Sequence, residues 1–208
     1  DRMLFFFFFI ANDFEVMIKN WFSKSELLEP VYDLYFGTLY NSSMYLQHEF
    51  LSLIQALETY HRRVFGGRYV DDATYQPIYQ AVLAAIPASV SSDLRESLKG
   101  KFLYGHEFSL RKRLKDILDQ HKELTPCVII NGNALIANIV DTRNYLTHYD
   151  KSLEGRALKG FPLYALSQKV KFLIELCLLS ELGLPTPAIS KRLNEDRRYN
   201  HIKEKPKV

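Results

Sequence analysis

Apolar side chains recur every three or four residues through most of this sequence, which is the spacing that puts them on one face of an α-helix. Glycine and proline, at 9 and 8 of 208 residues, fall mostly between these stretches. No segment has a pattern that we would assign to a β-strand. We therefore predict an all-α fold, a helical bundle with additional short helices. One stripe covers about five turns at 3.6 residues per turn and consists of Leu46, Phe50, Leu53, Ile54, Leu57 and Val64.

Length and composition are those of an ordinary globular protein. A chain of 208 residues, 47% hydrophobic and 25% charged, is long enough to bury a core in one domain. The formal net charge of +3 is too small to indicate a nucleic-acid-binding protein by itself. Any contact with RNA must therefore come from local basic patches.

The two ends of the chain differ in character from its middle. The apolar run Met3–Ala11 is too short to cross a bilayer, which takes roughly 20 residues, and it lacks the cleavage site of a signal peptide. We interpret residues 1–12 as an apolar lead-in segment, the remnant of a domain boundary, and expect no membrane association. We predict a helical domain over residues 13–195 and a charged, disordered tail over residues 196–208.

Few residues have the spacing of metal ligands. Cys127 and Cys177 are far apart in apolar surroundings, which is typical of reduced core residues in a cytosolic protein. Asp71 and Asp72 are adjacent, but no third ligand stands at a usable spacing, so we interpret them as helix-start residues. We therefore predict no metal, no cofactor and a cytoplasmic location.

A second apolar stripe at helical spacing consists of Leu135, Ile136, Ile139 and Val140, and the residues that follow it carry the strongest indication of chemistry. Arg143, Asn144 and His148 lie within six positions. A guanidinium group forks onto anionic oxygens, and an imidazole can give or take a proton near neutral pH. This combination of residue types suits work on a phosphate ester.

Helical geometry both supports and complicates this interpretation. A cation is favoured near the C-terminal end of a helix, and Asp141, Asn144 and His148 share a face because they are three and four residues apart. Asn144 is therefore expected to orient the imidazole. Arg143 and His148, in contrast, leave an ideal helix about 140° apart. They converge only if the helix loosens after Asn144, if Arg143 reaches around, or if a second subunit contributes.

A polar cluster near the end of the helix that begins at about Leu46 supplies further candidates. Glu58 precedes Arg62 by four residues, the order that favours a salt bridge. A solvated helix face explains most of this cluster. The alternative is a role for Glu58 or His61 in the functional site.

A run of cations marks a later helix. Two interpretations stay open, contact with RNA phosphates or an exposed charged face balanced by Asp116 and Asp119. In both interpretations the four cations point outward. These cations are Arg111, Lys112, Arg113 and Lys115.

Residues 142–149, with the sequence Thr-Arg-Asn-Tyr-Leu-Thr-His-Tyr, resemble the motif of HEPN-domain ribonucleases. These are helical domains whose motif is an arginine, a polar residue that is often asparagine, three to five further residues, and a histidine. The stretches at 29–35, 55–61 and 109–114 resemble the ApeA-like branch, which is found in bacterial anti-phage defence. The resemblance covers most of residues 13–183.

The resemblance implies an all-α, HEPN-like helical bundle that forms a homodimer. In such a dimer two motif helices face each other across a cleft and cut RNA without a metal. The family roles transfer to Arg143 and His148 as catalytic residues and to Asn144 as a supporting residue. Asp141 and Tyr145 are candidates by proximity alone.

Our hypothesis for the reaction is attack of the RNA 2′-hydroxyl on the neighbouring phosphate, which leaves a 2′,3′-cyclic phosphate and a 5′-hydroxyl. His148 serves as general base or acid and Arg143 holds the phosphate. DNA, which lacks the 2′-hydroxyl, is not an expected substrate. One rival is a non-catalytic helical module that binds RNA, a nucleotide or a protein. Another treats Arg143 as a salt-bridge partner of Asp141 or Glu175.

Overall fold

The computed structural model describes residues 10–41, 43–196 and 199–200, and these residues are mostly helical. Short 3₁₀ turns occupy Thr125–Cys127 and Lys151–Leu153. No strand is present in this part of the chain, so the predicted all-α fold is confirmed. The helices are α1 (Phe14–Ser23), α2 (Ser25–Tyr40), α3 (Leu46–Phe65), α4 (Asp72–Ala84), α5 (Ser92–Leu103), α6 (Leu110–Gln120), α7 (Gly132–His148), α8 (Gly160–Glu181) and α9 (Thr186–Glu195).

The predicted terminal segments are described only in part. Residues 1–9 of the lead-in segment, and residues 197–198 and 201–208 of the predicted tail, lie outside the described residues. No helix in the described part is long and apolar enough to span a bilayer.

The chain divides into two compact units, and the larger consists of residues 1–65 and 110–208. Helix α3 is central to it and packs against α2, α6, α7 and α8. The apolar stripe predicted on α3 lines this core, because its members face the neighbouring helices. Among the most deeply buried residues are Leu28, Val31, Phe50, Leu53, Leu57, Ile117, Ile139, Val170, Phe172 and Leu173.

Helix α2 has a proline in its interior. The helix begins at Ser25, so Pro30 lies beyond the first turn, where proline is normally found. Proline has no N–H, so the carbonyl of Glu26, four residues earlier, loses its usual helical donor. The guanidinium of Arg63 on α3 donates to that carbonyl over 3.0 Å and to the carbonyl of Leu27 over 3.1 Å. A side chain of α3 thus satisfies the carbonyl that Pro30 leaves without a donor in α2.

Two glutamates of helix α8 accept hydrogen bonds from tyrosine hydroxyls. Tyr35 donates to Glu175 and Tyr60 donates to Glu181, each over 2.8 Å. Tyr199 also donates to Glu175, and its ring is buried although it lies in the span predicted as a tail. Burial raises the pKa of the Tyr60 hydroxyl, so it stays a donor. These bonds tie α2, α3 and the chain near residue 199 to α8.

The second unit is residues 66–109, and it contains α4 and α5. Asp71 caps α4 by accepting the N–H of Thr74 over 2.7 Å, so the predicted helix start is confirmed. Gly100 lies inside α5 and does not end it. No residue of α4 or α5 is fully buried, which makes this unit much poorer in core than the first.

Candidate functional site

The motif lies on α7, and local sequence explains where that helix starts and which way it faces. Asn131 caps it by accepting the N–H of Ala134 over 3.0 Å. Leu135, Ile136 and Ile139 are buried, and they fix the rotation of the helix about its axis. The helix then continues without interruption to His148. The helix therefore does not loosen after Asn144.

A left-handed residue ends α7 immediately after the motif. Tyr149 has φ 50° and ψ 36°, and its N–H bonds to the carbonyl of Tyr145. This conformation costs a non-glycine residue roughly 1–2 kcal/mol, and non-glycine residues held in it tend to occur at functional sites. His148 consequently occupies the last turn of the helix, where the helix dipole favours a cation.

The segment after the motif folds back onto α7. The hydroxyl of buried Thr142 accepts the N–H of Leu158 over 3.1 Å. Asp141 forms a salt bridge with Arg156 at 3.5 Å. These contacts anchor the far end of the 149–159 segment beside the motif. Asp141 is thereby a partner of this segment, and not of Arg143.

The segment also turns locally just after the helix. The carboxylate of Asp150 accepts the N–H of Ser152 over 2.8 Å. This hydrogen bond, together with the nearby His148, holds the pKa of Asp150 below its ordinary value. A negative charge therefore stays close to the histidine of the motif.

Asn144 bonds to Arg143 and not to His148. The Nη1 atom of Arg143 donates to the side-chain oxygen of Asn144 over 3.2 Å. A guanidinium has five N–H donors, so most of those on Arg143 are left for an anion. The His148 ring is exposed and makes no hydrogen bond to another described residue. The expectation that Asn144 orients the imidazole is therefore not met in this structure.

The bond to Asn144 bears on how Arg143 and His148 converge. Asn144 leaves the helix about 100° from Arg143, and His148 about 140° from it in the same sense. The guanidinium is thus drawn around the helix toward the face that carries His148. Of the three expected routes to convergence, loosening of the helix does not occur, and Arg143 and His148 make no hydrogen bond to each other.

Tyr145, within the motif, forms a small aromatic cluster with Tyr149. Its ring meets that of Tyr149 edge-on, with centroids 5.5 Å apart. The ammonium of Lys159 lies 5.0 Å from the centroid of Tyr145. Sequence reasoning placed Tyr145 near the site by proximity but did not identify Tyr149 or Lys159.

The other candidates are placed differently. Glu58 and Arg62 form the predicted salt bridge at 3.3 Å. His61 is only 1% exposed, which puts it out of reach of a polymer substrate. Its Nδ1 accepts from Arg113 over 3.0 Å and its Nε2 lies 3.3 Å from Asp116. Because a guanidinium only donates, Nδ1 is the acceptor and Nε2 carries the proton.

Arg113 is fully buried, so the prediction that it points outward is wrong. A signal was present in the sequence. Leu110, Leu114 and Ile117 make up the apolar face of α6, and position 113 falls within that stripe. Arg111 and Lys115 are exposed as predicted. The buried guanidinium is tolerated because His61 accepts from it.

Acidic and metal-ligating residues do not cluster in the described part of the chain. No group of three or more His, Cys, Asp or Glu side chains there is arranged to hold a metal ion. Cys127 and Cys177 are free, and Cys177 is buried, which raises the pKa of its thiol.

Comparison with known proteins gives one match. A family model described as Apea-like HEPN matches residues 51–187, which is about two thirds of the chain and runs from within α3 to the start of α9. The match includes the whole of α7 and the segment that follows it. No curated protein and no solved structure matches the chain.

Proposed function

Because this chain belongs to the Apea-like HEPN family, we propose that it is a metal-independent endoribonuclease with Arg143 and His148 as catalytic residues. The observation that supports this most is the end of α7. There Arg143 keeps unused donors beside its bond to Asn144, and His148 is exposed at the same end of the helix. We also propose a role in anti-phage defence, which rests on the resemblance alone.

The proposed reaction breaks one P–O bond and forms another. The RNA 2′-oxygen attacks the adjacent phosphorus and the 5′-oxygen of the next nucleotide leaves. The 2′-hydroxyl proton goes to a general base, and a general acid gives a proton to the leaving oxygen. His148 fills one of these roles, and Arg143 stabilises the charge that gathers on the phosphate oxygens. The products are a 2′,3′-cyclic phosphate and a 5′-hydroxyl.

We further propose that the active form is a homodimer. A neutral imidazole can accept the first proton, but the leaving oxygen needs a proton from a different group in the same step, and a protonated imidazole can donate it. Two copies of His148 across a shared cleft supply one base and one acid. The position of His148 in the last turn of an exposed helix end suits such a cleft.

The direct test is cleavage of a labelled single-stranded RNA by purified protein. We expect His148→Ala to lower the rate about 10³-fold, and EDTA to leave it unchanged. A 2′-deoxy nucleotide at the cleavage site should block the reaction, and the product ends should be a cyclic phosphate and a hydroxyl. Undiminished cleavage by His148→Ala overturns the catalytic assignment. RNA binding without cleavage by the unmodified protein would support the rival binding module.

The dimer has a separate test, in which unmodified protein is mixed with an equal amount of His148→Ala protein and the subunits are allowed to exchange. If each cleft needs both copies of His148, every mixed dimer is inactive, and the unmodified protein should lose about half of its activity. Undiminished activity, with subunit exchange verified by differently tagged copies, would contradict a cleft that uses both histidines.

A further inference from the structure

We propose that Tyr149, backed by Tyr145, is a stacking platform for an unpaired nucleobase next to the phosphate that is cut. Lys159 lies beside the platform and attracts the RNA backbone. This inference rests on the proposed function and adds to it the substrate class, which is single-stranded RNA with a base free to leave its stack. Aromatic side chains and cations are the usual means by which proteins bind such RNA.

The first observation is the exposure and backbone of Tyr149. Its side chain is 67% exposed, so burial does not explain the aromatic ring. Its left-handed conformation is one that glycine or asparagine adopts more readily at the end of a helix. A tyrosine at this position therefore brings a conformational cost without a compensating place in the core.

The second observation is that the ring is not isolated. Tyr145 contacts it edge-on at 5.5 Å between centroids, which restricts its movement. Tyr145 is half-buried, and Lys159 lies against its ring. Lys159 also bonds to Glu154 over 2.9 Å, which raises the pKa of its ammonium and keeps it charged. The exposed ring of Tyr149 thus packs against Tyr145, which Lys159 contacts in turn.

The third observation is position. Tyr149 follows His148 directly, and the 149–159 segment that carries Lys159 is tied to α7 by Thr142. A phosphate held between Arg143 and His148 has its flanking bases one ribose away. The nearest exposed aromatic ring along the chain is that of Tyr149. Proximity to the proposed reacting groups and a nearby cation favour a nucleobase as the occupant over an apolar protein surface.

The test compares Tyr149→Ala with Tyr149→Phe on short single-stranded RNAs. Stacking is sequence-tolerant and involves the ring alone. We expect KM to rise about tenfold in Tyr149→Ala with kcat within about twofold, and Tyr149→Phe to restore KM. Tyr104→Ala is the matched control, because Tyr104 is similarly exposed at 63% and lies outside the motif. Its KM should not change.

An abasic nucleotide beside the cleavage site sharpens the test. With no base to stack, Tyr149→Ala should carry no further penalty, so the two losses should not add. Additive losses would overturn the platform. So would a rise in KM that Tyr149→Phe does not correct, or a change in oligomeric state of Tyr149→Ala in sedimentation, which would identify a protein contact.

Different experimental results would contradict the stacking platform and the proposed function. If the unmodified protein cuts no RNA, the proposed function fails, yet binding still tests the platform. In that case the affinity of His148→Ala protein for intact and abasic RNA is measured with and without Tyr149→Ala. A tenfold loss that depends on the base would support the platform, and equal affinities would overturn it.

Discussion

Two arginines and two histidines of this chain have opposite surroundings. Arg113 and His61 are buried between α6 and α3, and His61 is bonded on both ring nitrogens. Arg143 and His148 lie at the end of α7, where the arginine has one side-chain partner and the histidine is exposed. The same residue types thus occur once in a dry, satisfied network and once where a ligand can reach them.

The difference shows how surroundings decide between structure and chemistry. A buried guanidinium whose partner is fixed stabilises the packing of two helices but has no free access for an anion. A half-buried guanidinium held by one bond, like that of Arg143, keeps its other donors and can still fork onto a phosphate. Burial, and not residue type, separates the scaffold from the proposed site.

The largest change in stability should come from the buried network. Arg113→Leu should lower the free energy of unfolding by about 3 kcal/mol, because it leaves the buried Nδ1 of His61 without its donor. Arg111→Leu is the matched control on the exposed face of the same helix and should cost under about 0.5 kcal/mol. Urea unfolding followed by circular dichroism measures both. Equal losses in the two variants would mean that Arg113 adds nothing by its burial.

Arg143, which is only half-buried, should show the opposite behaviour. Arg143→Lys keeps the charge but loses the planar fork, so we expect cleavage to fall about 100-fold with unfolding unchanged. The salt-bridge interpretation predicts retained activity, but Asp141 bonds to Arg156 and Glu175 to tyrosines. Arg156→Lys should change cleavage less than about threefold, since exposed ion pairs contribute little. Full activity of Arg143→Lys would favour a structural role.

Asn144 should act by positioning, with a smaller effect. Asn144→Ala frees the guanidinium of Arg143, and we expect kcat to fall about tenfold with KM little changed. Thr147→Ala on the same helix is the control, because its hydroxyl bonds only to the backbone carbonyl of Arg143. Single-turnover cleavage rates distinguish the two. An unchanged rate for Asn144→Ala would remove Asn144 from the site.

The smallest effect concerns pH. Burial lowers the pKa of His61, and also that of His121, below the ordinary value of 6.5. The unfolded chain therefore binds more protons than the folded protein just below pH 6.5, so stability falls as pH falls through that range. We expect a loss of about 1 kcal/mol between pH 6.5 and 5.5. His61→Gln should reduce this slope, and a slope that is the same in both proteins would contradict it.

Sequence reasoning located the helices and the motif better than it located the buried polar groups. The stripes on α3 and α7 predicted helices that are present, and residues 142–149 identified the family that the family model matches. Arg113 was misplaced because a charged side chain is normally solvated, although its position lay in an apolar stripe. Asn144 was expected to bond to His148, but it bonds to Arg143. Spacing along the helix alone does not decide between two neighbouring partners.

Local sequence is enough to predict the helices and to put Arg143 and His148 on one of them, because helical hydrogen bonds and apolar periodicity join residues only a few positions apart. Which polar groups are buried depends instead on packing between distant parts of the chain. His61 accepts from Arg113, 52 residues away, and Arg63 satisfies the carbonyl that Pro30 leaves open. The free energy of burying a polar group depends on a partner that only packing brings within reach.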